Sequence, residues 1–344
     1  MKNMFTNKSL SAYISGFTQA DGNFHIALEK ATKSTLGLRV KPKFSLSQHI
    51  SAKPFFEYLK THLDVGYVYT SRSDVNFSVN SLPQIKNKIL PLFDEYPLRD
   101  GKLNSYLRFK QVVKMMDNKQ HLTKEGLAKI IHISYSMNPI GSLRTEENKL
   151  KLLKSIGYDQ EIYLENLSIP NLSPINPDFV SGLTDGDGSF FISFRSNGRV
   201  TPSYTVIQDN SCRNVLEELV RYFNCGKVYD LKSNSCRFQV ENLDDIINKV
   251  IPHFNNYLLL TEKKTHFEIF SKACELMQSN SHKTQEGFLE LINLAYDMNK
   301  DGKGRKLSKD EFIEFMRSKS KLPLDTNNFD KTNITSNLSL IGSS

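Results

Sequence analysis

The chain has 344 residues, 39% of them hydrophobic and 24% charged, which suits a globular protein of two domains. No apolar run approaches the roughly 18 residues that a membrane span needs, and no signal-peptide core or Arg- and Ser-rich transit segment is expected at the start. A formal charge of +8 and a pI near 9.1 suit a polyanionic partner.

In chain order, Ser9 to Ala20 carries Leu10, Tyr13, Ile14 and Phe17 at helical spacing and runs into Asp21-Gly22, where the glycine reads as a helix-ending C′ residue. Phe24 to Leu28 alternates as a strand. A polar basic loop, Glu29 to Gly37, leads to a second strand from Leu38 to Ile50. Ser51 to Leu63 predicts a helix, Gly66 to Thr70 with Val75 to Val79 a hairpin, and Leu82 to Phe93 another helix. Lys102 to Met116 and Lys124 to Met137 add two more. The order is α-β-β-α-β-β-α with C-terminal additions, an α+β pattern built on an antiparallel sheet.

The pattern then starts again. Asp21 and Asp187 lie 166 residues apart, Gln48 and Gln208 160, and Gly66 and Gly226 160. From there the offset settles at 161, pairing Phe77 with Phe238, Pro91 with Pro252, Lys102 with Lys263, Gly126 with Gly287, and Met137-Asn138 with Met298-Asn299. So few gaps over more than a hundred residues mean two units of one fold. The second unit predicts a helix at Pro177 to Thr184, strands at Ser189 to Arg195 and Thr201 to Gln208, and a helix at Cys212 to Tyr222. A hairpin (Lys227 to Tyr229 with Cys236 to Val240) follows, then helices near Asp244 to Phe254, Lys263 to Met277 and Thr284 to Met298. The domains read as 9–140 and 175–318, joined by a linker at 141–174 with a helical first half. An Asn-, Ser- and Thr-rich tail at 319–344 is expected to lack stable structure. Cys212, Cys225, Cys236 and Cys274 form no CxxC pair or zinc spacing and read as reduced structural thiols.

Each unit opens on the same stretch: Tyr13-Ile14-Ser15-Gly16-Phe17-Thr18-Gln19-Ala20-Asp21-Gly22, then Phe179-Val180-Ser181-Gly182-Leu183-Thr184-Asp185-Gly186-Asp187-Gly188. Asp21 and Asp187 fall at helix C-termini, where the dipole disfavours negative charge. If the helices pack through the small residues Ser15, Gly16, Ser181 and Gly182, both carboxylates emerge together and call for a divalent cation. All-oxygen ligation favours Mg²⁺, and such a site suits phosphodiester hydrolysis. A lone Asp-Gly would be an ordinary turn; two matched copies argue for chemistry. A calcium-loop reading of Asp297, Asn299, Asp301 and Gly302 fails, because the twelfth position, which needs a bidentate Glu, is Ser308.

These paired stretches resemble the signature of the LAGLIDADG homing endonucleases in their single-chain, two-repeat form, over roughly residues 9–300. The resemblance implies a pseudo-twofold saddle of two antiparallel sheets with the motif helices at the interface, and a monomer acting as a pseudo-dimer on double-stranded DNA. It gives Asp21 and Asp187 the metal, with the carbonyls of Ala20 and Gly186 as further ligands and Mn²⁺ as a substitute for Mg²⁺. Gln48 and Gln208 resemble the polar residues that order solvent, and Lys102 and Lys263 the basic residues near the scissile phosphates. Lys30, Lys33, Arg39, Lys41 and Lys43 in the first unit, and Arg195, Arg199 and Arg237 in the second, are the expected DNA contacts. The sixth motif position departs from symmetry, Gln19 against Asp185, and Asp185 reads as a helix-end polar contact outside the chemistry. The implied function is site-specific, metal-dependent cleavage of a long asymmetric DNA target; the alternatives are an RNA maturase bound to intron RNA, and a DNA binder that has lost turnover. A mitochondrial, intron-encoded origin is implied by the resemblance alone.

Overall fold

The computed structural model describes residues 7–137, 144–195, 199–298 and 306–319. Asn138, Asn299, Asp301, Gly302 and the tail beyond Lys319 lie outside the described residues.

The first unit runs α1 (Asn7–Asp21), β1 (Gly22–Lys30), β2 (Leu38–His49), α2 (Lys53–Leu63), β3 (Tyr67–Ser71) and β4 (Asp74–Val79). Next come α3 (Leu82–Gln84), a π-helical turn (Ile85–Ile89) and α4 (Leu90–Glu95), which form one continuous helical stretch, then α5 (Asp100–Asp117) and α6 (Lys124–Met137). The linker carries α7 (Glu146–Ser155), capped by the Thr145 side chain, so its expected helical first half is present. The second unit repeats the order: α8 (Pro177–Asp187), β5 (Gly188–Phe194), β6 (Val200–Asp209), α9 (Arg213–Phe223), β7 (Lys227–Leu231) and β8 (Ser235–Val240). It continues with α10 (Leu243–Asp245), a second π turn (Ile246–Val250), α11 (Ile251–Asn256), α12 (Lys263–Gln278), α13 (Gln285–Met298) and α14 (Lys309–Lys319). Each sheet is antiparallel, with strand orders β1-β2-β4-β3 and β5-β6-β8-β7.

The cores repeat with the sequence. Phe24, Phe44, Phe77, Phe93 and Phe109 are buried in the first unit, and Phe190, Tyr204, Phe238, Phe254 and Phe270 hold the matching places in the second. Phe24 meets Phe93 edge-on at 5.3 Å between ring centroids, and Phe190 meets Phe254 the same way at 5.3 Å. Each such ring contributes roughly 1.5–3 kcal/mol when removed from water. The period-2 alternation that puts these rings inward turns Asn23, Arg39, Lys41 and Ser47 of β1 and β2 to solvent, whereas in β6 Thr201, Ser203 and Thr205 of the opposite face are buried as well.

One expectation about the helix ends is corrected. Asp21 and Asp187 are still helical, and neither following glycine adopts a left-handed conformation. Gly188 is extended at φ −80° and ψ 159°. The glycines are needed for space: a Cβ on Gly22 would lie 2.3 Å from Thr18 Cγ2, and one on Gly188 2.5 Å from Thr184 Cγ2. The chain thus passes from helix to strand with no intervening loop, which fixes each acid on a rigid support.

Candidate active site

α1 and α8 cross at the centre of the molecule, and two glycines set how close they come. A Cβ on Gly16 would sit 1.9 Å from the Phe179 carbonyl oxygen, and one on Gly182 2.0 Å from that of Tyr13. No side chain fits at either place. Ser15 and Ser181, expected beside them at the interface, turn elsewhere: their hydroxyls donate to the carbonyls of Tyr96 and Tyr257, each in its own half, at 2.7 Å. The glycines therefore make the interface, and the serines tie each motif helix to the loop before α5 or α12.

This packing brings the two acids to one end. A Cβ built on Gly186 would stand 3.1 Å from Asp21 Oδ2, so the carboxylate of one motif lies against the backbone of the other. Burial and then the charge of Asp187 push the Asp21 carboxyl up to about 7, with Lys263, Lys102 and Gln48 opposing the rise. Burial raises Asp187 as well, against Lys263, Lys102 and Gln208. The glutamines sit where the repeat offset put them. Gln48 Nε2 donates to Asp21 Oδ2 at 2.9 Å, and Gln208 Nε2 donates to Asp187 Oδ2.

The lysines reach inward instead of lying on the surface. Lys102 Nζ donates to the Gly22 carbonyl at 2.6 Å; Lys263 Nζ donates to the carbonyls of Thr184 (3.0 Å), Gly186 (3.1 Å) and Gly188 (2.5 Å). Burial lowers both ammonium groups; Cys212, then Asp187 and Asp21, hold Lys102 up, and Asp185, then Asp187 and Asp21, hold Lys263 up. Two cations beside two carboxylates weaken the argument that repulsion alone demands a metal. Even so, Asp21 stays pushed up, so a divalent cation fits: the donors are oxygens, and more positive charge stabilises them. Among the described residues no third His, Cys, Asp or Glu joins them in a cluster, so substrate oxygens and water would complete a coordination shell. The Gly186 carbonyl already accepts from Lys263. A cavity of about 1350 Å³ opens here, and Lys102 of the first half lines it together with Asp187 and Gln208 of the second.

The sixth motif position resolves into a pair. Gln19 Oε1 accepts from the Arg99 backbone N–H at 2.9 Å, and Asp185 Oδ2 accepts from the Leu260 N–H at 2.6 Å. Arg99 and Leu260 are themselves 161 apart, so both side chains do the same job of anchoring the start of the lysine-bearing helix. Asp185 also accepts from Thr261 Oγ1 at 2.5 Å and from the Tyr13 hydroxyl. Fully engaged in the interior, it lies apart from the cavity lining. The sequence reading missed Arg99, Leu260, Thr261 and Tyr13; the constant offset was the signal that could have found the first two.

The expected DNA contacts fall on the sheet faces and the β1–β2 turn. Lys30, Lys33, Arg39 and Lys41 are exposed, and Lys43 is half-buried with its ammonium 5.9 Å from the Tyr69 ring centre. Lys41 pairs with Glu29 at 2.7 Å. In the second half Arg195 and Arg199 are exposed, joined by a backbone hydrogen bond from Arg195 N to Arg199 O, while Arg237 is half-buried and faces Ile207 and Tyr229 in the register. Arg199 matches Arg39 by offset, whereas Arg195 stands where the first unit has Glu29, and Arg237 where it has Asn76. The exposed Tyr67, Tyr69 and Tyr229, not singled out from sequence, share these outer faces.

Comparison with known proteins finds relatives of the two-unit fold. The sequence profile of the LAGLIDADG endonuclease family matches residues 14–113 and 180–274, one match per unit. The "Probable intron-encoded DNA endonuclease 1" of Mycosarcoma maydis is 40% identical over 261 residues, 74% of this chain and 95% of the relative. Among solved structures, I-SmaMI bound to its uncleaved DNA target in the presence of calcium superposes with a TM-score of 0.77 at 28% identity, covering 84% of this chain and 98% of that one. The I-LtrWI LAGLIDADG homing endonuclease bound to target DNA gives a TM-score of 0.76 at 30% identity, covering 86% and 99%.

Proposed function

The chain belongs to the LAGLIDADG endonucleases, a family of DNA-hydrolysing homing enzymes, and from that premise we propose that it cuts one phosphodiester in each strand of a long asymmetric duplex as a monomer. The enzyme is divalent-metal dependent, as its family is; Mg²⁺ is the proposed physiological ion and Mn²⁺ its substitute. The observation that carries the assignment is the pair of helix-end carboxylates, each held by a glutamine from its own half, with a lysine of the first half beside Asp187.

In this reading Asp21 and Asp187 hold the cations, with Ala20 and Gly186 offering backbone oxygens. A bound divalent cation supplies acidified water and charge stabilisation at the phosphate. Gln48 and Gln208 orient the carboxylates and order solvent. Lys102 and Lys263 place positive charge where negative charge grows on the leaving oxygen. The basic residues of both sheet faces position the duplex over this centre, and their inequality favours an asymmetric target. The functional units remain 9–140 and 175–318, joined by 141–174. An intron-encoded origin goes with this reading, since the relative from Mycosarcoma maydis is named intron-encoded, and a mitochondrial intron is the proposed location.

The test is cleavage of a randomised duplex library with Mg²⁺, comparing the wild-type chain with Asp21→Asn/Asp187→Asn. We expect double-strand cuts by the wild type and none by the variant. Tight binding to a folded intron RNA without any DNA cleavage would replace the nuclease by a maturase. Equal cleavage by the variant would remove the acids from the mechanism.

A further inference from the structure

The two lysines are anchored in different ways, and the difference crosses the interface. Lys102 lies two residues after Asp100, the first residue of α5. Asp100 sits in the left-handed region, at φ +46°, which is strained for a residue with a side chain. Its carboxylate leaves its own half altogether. Oδ2 accepts from the backbone N–H of Val215 at 2.8 Å, and Oδ1 accepts from Asn214 Nδ2 at 3.0 Å. Val215 is the third residue of α9, whose own cap residue, Cys212, supplies no side-chain hydrogen bond. Asp100 therefore caps a helix of the second half, with its negative charge at the favourable end of the dipole.

The contact continues through the next residue. A Cβ on Gly101 would lie 2.7 Å from Ser211 Oγ and 3.1 Å from the Ser211 carbonyl oxygen, so the start of α5 is seated on the Asn210–Cys212 turn. That turn follows the strand bearing Gln208, which donates to Asp187. Lys102 and the Asp187–Gln208 pair are thus fixed to one another by a short run of contacts between halves. Among the described residues the second unit shows no such arrangement. The residue matching Asp100 is Thr261, which gives its hydroxyl and backbone N–H to Asp185 of its own half, at 2.5 and 3.3 Å.

We propose that Asp100 is a positioning residue: by capping α9 across the interface it holds Lys102 in register with Asp187 and Gln208, and its loss slows cleavage of one DNA strand while sparing the other. The proposal rests on Lys102 acting beside Asp187. Two substitutions separate the cap from backbone strain. Asp100→Gly keeps the left-handed conformation without strain but has no carboxylate. Asp100→Asn keeps a side-chain oxygen for Val215 and tolerates the same backbone.

Hydrogen exchange on the full-length protein tests the clamp without DNA. Asp100→Gly should speed exchange at the Val215 amide and through residues 100–105, with 261–266 unchanged, and Asp100→Asn should restore protection. Unchanged exchange at Val215 in Asp100→Gly would overturn the clamp. Strand-resolved cleavage then tests its consequence, using a duplex recovered from the library and labelled differently on each strand. Because a displacement of about 1 Å can cost up to ~10²-fold in rate, Asp100→Gly should cut one strand about tenfold or more slowly, accumulate nicked product, and keep the other strand and the binding affinity within about twofold. Asp100→Asn should cut both strands. Equal slowing of the two strands, or a wild-type strand ratio in Asp100→Gly, would overturn the proposal. If Lys102→Met also leaves both strand rates unchanged, the role given to Lys102 fails instead.

Discussion

In the cation-free protein Asp21 keeps its proton up to about pH 7, because burial and the charge of Asp187 outweigh Lys263, Lys102 and Gln48. A carboxyl held above its ordinary 3.8 favours the fold fully at low pH, and that contribution is lost as the pH rises through about 7. Moving this group from 3.8 to about 7 corresponds to about 4 kcal/mol, an upper bound on the cost of ionising it in place. Asn keeps an acceptor for Gln48 and carries no charge. Asp21→Asn should therefore stabilise the metal-free protein at pH 8 by up to that amount, progressively less as the pH falls from 7 toward 3.8, and have little effect below pH 4, as read by denaturant melts. Calcium should raise the wild-type melting temperature and leave Asp21→Asn/Asp187→Asn unmoved. A variant less stable than wild type at pH 8, or one still stabilised by calcium, would contradict the site.

At the scale of elements, α11 carries an asymmetry of its own. His253 occupies the position that Leu92 fills in the first unit, and it is buried among Tyr222, Phe223, Phe254 and Tyr257. Ser181 Oγ donates to the Tyr257 carbonyl, so it accepts from His253 Nε2 at 3.2 Å, leaving Nδ1 to accept from the Tyr222 hydroxyl at 2.9 Å. Both nitrogens are committed to the neutral ring, and burial lowers its pKa from 6.5 to about 3. The unfolded chain takes up this proton first, so stability present above pH 6.5 is lost as the pH falls toward 3, by roughly 4–5 kcal/mol in total. His253→Leu should flatten the stability profile between pH 6.5 and 4 while remaining folded at pH 8; an unchanged acid limb would place the sensitivity elsewhere. The order of elements and both acids were legible because period, punctuation and a near-constant offset all agreed. What the sequence concealed was direction. Nothing in Ser15 says that its hydroxyl turns from the interface to Tyr96, and nothing in Asp100 says that it caps a helix 115 residues away. Those facts depend on which half lies opposite, information that no local pattern holds. Gly22 misled for a related reason: a glycine at a helix end fits both a left-handed cap and a close contact, and only Thr18 decides between them.

For the molecule as a whole, duplex binding should be governed by counterion release, and unequally by the two halves. The first half offers Lys30, Lys33, Arg39, Lys41 and Lys43, the second Arg195, Arg199 and Arg237, and Glu29 already neutralises Lys41. Taking about seven phosphate contacts, the logarithm of the affinity should fall with the logarithm of salt at a slope near −6, or about 10³–10⁴-fold between 50 and 200 mM. Neutralising the five basic residues of the first half should flatten this slope more than neutralising the three arginines of the second. Glu29→Gln, which frees Lys41, should steepen it by about one. Fluorescence anisotropy on a recovered target, titrated with KCl, measures all three slopes. The sign of the Glu29 effect is the stringent part, because a surface pair that contributes nothing to stability can still cost a phosphate contact. A slope that does not move in Glu29→Gln would mean that Lys41 stays off the duplex, and would assign the first-half contacts to the turn carrying Lys30 and Lys33 and to the strand positions Arg39 and Lys43.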